Sequence, residues 1–294
     1  LKSSFVAILL LLFTLSACSS GRFSFENDVF APGGKDDNYT NGVIYEYNHD
    51  DETTIGVGQV FYTPDNLRSA EEIKDDRPYG GLLFGEISRT NIKRRANGRD
   101  TRETASIRVG CTGKCSLARE TQKFVHNELG FGTDPKGWRH QIDTEPIIGV
   151  KYALQNRTLR HSLTSGISLD NINFIRANIG NDITRFTAGT LIRIGSGLDN
   201  SFGPELIQPT AISKNYTGYF FTRAESRFTP YNIFIDNHLF NGGTNLDLEY
   251  FGNDYSIGFV VEYGSKSLAF EFVWRDPEFD GDSSHKFGAA TLRW

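Results

Sequence analysis

Segments of about ten residues with alternating polarity recur after residue 20, and that period of two predicts β-strands with one apolar face each. From Leu159 to Leu169 the odd positions read Leu, His, Leu, Ser, Ile, Leu, against Arg, Ser, Thr, Gly and Ser at the even ones. Phe186, Ala188, Ile192 and Ile194 oppose Arg185, Thr187 and Arg193. Ile257, Phe259, Val261 and Tyr263 oppose Ser256, Gly258 and Glu262, and Leu268, Phe270, Phe272 and Trp274 oppose Ser267 and Glu271. A soluble sandwich alternates in the same way, so the period alone leaves the solvent open.

Three features favour a membrane barrel. Lys2, the apolar run Phe5 to Leu15 and the small residues Ser16 to Ser20 have the order of an export signal. Aromatics such as Tyr45, Tyr47, Phe84, Tyr219, Phe220, Tyr263 and Trp274 suit interfacial girdles, and the sequence closes on Leu292-Arg293-Trp294. The expectation is an all-β, antiparallel up-and-down barrel of about twelve strands over residues 21–294, following a signal over 1–20. Leu15-Ser16-Ala17-Cys18 also reads as a lipobox, so a lipidated Cys18 and ordinary cleavage close to it both stand.

Strands are expected near 21–29, 39–48, 53–62, 78–90, 101–110 and 143–153. The links after the first, third and fifth are the longer ones, and in an up-and-down barrel alternate links share a rim, here the cell exterior. The link near 195–215 breaks this pattern and is expected as an elaborated periplasmic turn. Net charge is −5 with scattered basic residues, which excludes an electrostatic track for nucleic acid. Cys111 and Cys115 form a C-x3-C pair; a disulfide loop is favoured over zinc, which would need more ligands than the nearby His126.

Each long link carries chemistry with an ordinary alternative. Phe25-Glu26-Asn27-Asp28 and Asp36-Asp37-Asn38-Tyr39-Thr40-Asn41-Gly42 gather oxygen ligands suited to a hard cation such as Ca2+, and are also what hairpin turns use. Arg77-Pro78-Tyr79-Gly80-Gly81 offers a guanidinium for an anion, or an unremarkable rim arginine. Ser116 to Gly130 predicts a short amphipathic helix in an extracellular loop, with Leu117, Phe124, Val125 and Leu129 as its apolar positions. Gln122 and His126, four apart, share a helical face, and the histidine suits a general base. Meeting on one rim raises the weight of all three.

Taken in order, F-E-N-D-x-F (25–30), D-x-x-Y-T-N-G (36–42), R-P-Y-G-G (77–81), Q-x-x-x-H (122–126) and the G-x-x-x-x-x-x-G-W from Gly130 to Trp138 resemble the LpxR-type lipid A 3'-O-deacylases. N-I-F-I-D (232–236) and E-F-D-G (278–281) are similar too, so the resemblance spans the mature chain. It implies a calcium-dependent outer-membrane barrel acting on lipid A, the lipid anchor of lipopolysaccharide, in the outer leaflet as a monomer. His126 would activate water, assisted by Gln122. A cation near Asp28 and Thr40 would polarise the ester carbonyl, Asn27 and Asn41 would complete the cradle, and Arg77 would bind the headgroup or aid the oxyanion. No G-x-S-x-G is needed in this scheme, and none is present. The rival readings are a calcium-dependent outer-membrane phospholipase and a non-catalytic channel or adhesin.

Overall fold

Twelve strands follow one another in chain order and close into an antiparallel barrel, with β1 pairing both β2 and β12. They are β1 (Gly21–Asn27), β2 (Asn38–Asn48), β3 (Thr53–Thr63), β4 (Gly80–Lys93), β5 (Thr101–Thr112), β6 (Pro146–Thr164), β7 (Ile167–Gly180), β8 (Ile183–Gly195), β9 (Ser213–Asn232), β10 (Phe251–Gly264), β11 (Lys266–Arg275) and β12 (His285–Arg293). This computed structural model describes residues 20–31, 38–96, 99–128, 130, 133–204, 213–236, 244 and 246–294. The expected export segment with Cys18, the carboxylates Asp36 and Asp37, and Leu129 lie outside the described residues.

The alternation read from the sequence sorts apolar side chains outward and charges inward. Ile148, Ile175, Phe186, Ile192, Phe220, Ile257 and Val261 are exposed on the outer wall, whereas Arg193 and Asp170 are fully buried. Inside, Arg108 pairs with Glu86 at 3.0 Å, Arg176 with Glu225 at 2.9 Å and Arg293 with Glu262 at 3.2 Å. Desolvated charges are tolerable only when matched in this way. An apolar exterior around a charged interior inverts the soluble arrangement and suits a lipid surround.

Two expectations need correction. Leu159 to Leu169 is not one strand: β6 and β7 turn at 165–166, where Gly166 takes a φ of +85°. A two-residue turn preserves parity, so the alternation runs through the hairpin unbroken. The 196–212 link is more than a turn, because its described part tucks into the lumen. Leu198 and Phe202 join a buried cluster with Ile172, Phe174, Leu191, Tyr219 and Phe221. Arg193 donates to the Leu198 carbonyl at 2.8 Å, and Arg157 to the Ser201 carbonyl at 2.9 Å. This segment lies at the rim formed by the links after even-numbered strands. The opposite rim, formed by the links after odd-numbered strands and called here the odd rim, carries the described residues of every motif in the family resemblance.

Candidate active site on the outer wall

Cross-strand partners share a face, so register decides which residues meet. One row runs across five strands as Gly81, Phe61, Asn41, Asn27 and Gly288 on β4, β3, β2, β1 and β12. On β3, Phe61 has the parity of the exposed Ile55 and Val57, and on β4 Gly81 has that of Ile87, so the row lies on the outer wall. Phe61 is nonetheless buried, because the link between β5 and β6 folds down over it. Both end positions are glycine for a reason of contact. A Cβ at Gly81 would collide with Ala118 Cβ and Ser116 Oγ, and one at Gly288 would sit 2.6 Å from Phe30 Cβ. The two asparagines lie between these flanking segments.

The covering segment is built from the end of β5. Cys111 and Cys115 are disulfide-bonded, with Cα atoms 5.9 Å apart, and fasten the turn Gly113–Ser116 to the wall. Gln59, on the outward parity of β3, donates to the Ser116 carbonyl at 2.6 Å. Helix α1 (Ala118–Lys123) follows and continues into a π-helical turn, Phe124–Glu128, a widened geometry frequent at functional sites. Ala118, Gln122 and His126, each four apart, are the buried positions, while Leu117 is exposed. The exposed positions are mixed, Leu117 together with Arg119, Glu120 and Asn127, while Phe124 and Val125 are half-buried.

Trp138 locks Gln122 in place. Its ring packs on Phe61 and Tyr79, with centroids 6.3 and 4.9 Å away, and its Nε1–H donates to Gln122 Oε1 at 2.7 Å. Gln122 is buried, and its Nε2 has no hydrogen-bond partner among the described residues. The Nδ1 of His126 meets the Thr133 carbonyl. A carbonyl can only accept, so Nδ1 carries a proton, and in the neutral ring the lone pair then lies on Nε2, the tautomer a general base requires.

Two backbone irregularities set the oxygen donors. Asn27 leaves β1 extended and caps the 3-10 turn Asp28–Phe30, accepting from Val29 N at 2.9 Å. Its Nδ2 donates to the Thr40 carbonyl at 3.1 Å, and Asp28 beside it is fully buried. On β2 the register with β3 slips between Tyr39 and Asn41, a β-bulge that leaves Thr40 as the extra residue, its Oγ1 2.6 Å from Thr63 Oγ1. The donors of Asn27, Asp28, Thr40 and Asn41 are all oxygen. They fit a hard cation with one carboxylate better than zinc. Among the described residues no cluster of three or more His, Cys, Asp or Glu side chains is gathered to hold a metal, so amide, hydroxyl and backbone oxygens would complete any such site.

Arg77 stands apart from this face. Its guanidinium is buried, donating from Nε to Asn38 Oδ1 at 3.0 Å and from Nη2 to Glu278 Oε2 at 2.8 Å, and lies 4.8 Å over the Tyr62 ring. Tyr62 has the inward parity and packs on Phe234 at 4.4 Å, so Arg77 caps the lumen side of the odd rim. Burial alone would raise the pKa of Glu278. The guanidiniums of Arg77 and Arg185, with Arg275 and Arg227 behind them, instead hold it well below the usual carboxylate range. Motif reading quoted Gly81, Trp138 and Glu278 without giving them roles, and it passed over Phe61; cross-strand register is the signal that places Gly81 and Phe61.

Gly81→Val is expected to push α1 off the wall and cut turnover at least about tenfold, since small misplacements of reacting groups are costly. Activity should be compared with heat-modifiable gel mobility, which reports an intact barrel. Unchanged turnover in a folded variant would show that the packing of α1 on β4 does not position the site.

A family model described as outer membrane protein LpxR matches residues 5–294. No curated protein sequence matches the chain. Among solved structures, LpxR from Salmonella typhimurium superposes with a TM-score of 0.80 at 19% identity, covering 94% of this chain and 99% of that one. The β domain of the Bordetella autotransporter BrkA gives a TM-score of 0.48 at 8% identity, over 94% of this chain and 99% of that one. With the family model matching nearly its whole length, the chain belongs to the LpxR family of outer membrane proteins.

Proposed function

We propose that this protein hydrolyses the ester joining the 3'-acyl or acyloxyacyl chain to lipid A in the outer leaflet, with calcium as its cofactor and the odd rim facing the cell exterior. The observation that carries the proposal is the outward row itself. Asn27 and Asn41 lie on the lipid side of the wall beside a segment that turns Gln122 and His126 toward it, where an acyl chain in the membrane can reach them. A channel would place its polar constellation in the lumen.

In this reading His126 Nε2 takes a proton from water, and the water oxygen attacks the ester carbonyl carbon. Collapse of the tetrahedral intermediate breaks the bond to the sugar oxygen, which receives the proton back from His126. The products are a free fatty acid and a 3'-hydroxyl. The Gln122 Nε2–H donors, held by the Trp138 bond to Oε1, and the Asn41 carboxamide orient the carbonyl and its developing negative charge. Asp28, Thr40 and Asn27 would hold calcium, which supplies a positive charge that polarises the ester carbonyl.

Mass spectrometry of lipid A from an outer membrane carrying the protein tests this reading. The expected result is loss of the 3'-linked acyl mass, abolished by a calcium chelator. Unchanged lipid A beneath a folded, surface-located barrel would refute it.

A further inference from the structure

The E-F-D-G segment and Arg77 remain outside the scheme above, and their geometry joins them. Asn38, the first residue of β2, has a φ of +55°, a left-handed conformation that costs an L-residue unless its surroundings hold it. It is held from both ends of its carboxamide. Oδ1 accepts from Arg77 Nε at 3.0 Å, and Nδ2 donates to Asp282 Oδ1 at 3.1 Å. Glu278 closes the ring, accepting from Arg77 Nη2 at 2.8 Å while its own N–H donates to Asp282 Oδ2 at 2.9 Å. The other Glu278 oxygen accepts from Arg185 Nη2 of β8 at 2.7 Å, so the ring is anchored across the barrel mouth. The bulge that sets Thr40 begins one residue after Asn38.

We propose that Arg77, Glu278 and Asp282 are positioning residues that fix Asn38 in its left-handed turn and so fix the Thr40 bulge at the cation-binding oxygens. This rests on the deacylase reading for its consequence in turnover, though not for its consequence in cation binding. Arg77 then acts through Asn38 and touches neither the headgroup nor the reacting ester. A ligand of the substrate headgroup would stand open to the outer leaflet, whereas this guanidinium is 1% exposed and neutralised by a buried carboxylate.

The test pairs calcium calorimetry on the detergent-solubilised, chelator-treated barrel with hydrolysis kinetics for Glu278→Gln, Asn38→Gly and Arg77→Lys. Asn38→Gly is informative because glycine keeps the left-handed backbone while losing the tether. Each variant is expected to weaken calcium binding about tenfold or more, as loss of supporting contacts behind metal ligands does, and to lower kcat with little change in KM. A raised KM at unchanged calcium affinity would overturn the proposal and make Arg77 a substrate ligand. Wild-type calcium affinity in folded Glu278→Gln and Asn38→Gly would overturn it as well. Should Glu278→Gln fail to assemble, Asn38→Gly decides alone. A wild-type barrel that leaves lipid A intact, while these variants still lose calcium, would sink the deacylase reading and keep the positioning role.

Discussion

His126→Ala is expected to lower lipid A deacylation by about a hundred- to ten-thousandfold, the range a positioned general base contributes. The expectation follows from the fixed tautomer. The Thr133 carbonyl accepts the hydrogen bond from Nδ1–H, so in the neutral imidazole the basic nitrogen is Nε2. The side chain is a buried member of the α1 face, yet alanine already occupies the equivalent turn at Ala118, and the segment should survive the change. Single-turnover hydrolysis of purified lipid A, followed beside calcium binding, checks this. Activity within tenfold of wild type would mean that water is activated elsewhere, whatever the fate of the substrate assignment.

Asp28→Asn should raise the calcium concentration for half-maximal rate by about a hundredfold, because affinity at oxygen sites follows ligand charge and Asp28 is the one carboxylate in the donor set proposed here. Asp28 is completely buried next to the capping Asn27, and asparagine replaces the carboxylate with a nearly isosteric amide that removes the charge. Rate measured against calcium at saturating lipid A separates the outcomes. An unmoved titration curve would place the cation away from β1, and a lower plateau at the same midpoint would give Asp28 a role in the chemistry and not in binding.

Strand alternation made the barrel readable from sequence, since inward Arg185 and Arg193 and outward Phe186, Ile192 and Ile194 declare their faces one residue at a time. The first six strands fall within a few residues of their expected ends, apart from β6, which runs far longer. The clustering of motifs at one rim was also legible. Parity along each strand sets Asn27 with Phe25 and Asn41 with Val43, but the Thr40 bulge and the pairing across strands were not legible. Register adds that both stand in one row with Phe61. The short helix was expected, but not which of its sides packs on the wall. Leu117, Phe124 and Val125 were its expected apolar positions, yet the side packed on the wall is Ala118, Gln122 and His126. The separate placement of Arg77 was invisible, because its partner Glu278 lies 201 positions away.

Under the proposed deacylase reading, the outward row of Gly81, Phe61, Asn41, Asn27 and Gly288 also determines how the enzyme meets its substrate. A catalytic face on the lateral surface is filled by diffusion within the plane of the bilayer, so the governing concentration is a mole fraction of lipid and not a bulk molarity. Adding inert detergent to mixed micelles at constant total lipid A should then slow the reaction by surface dilution.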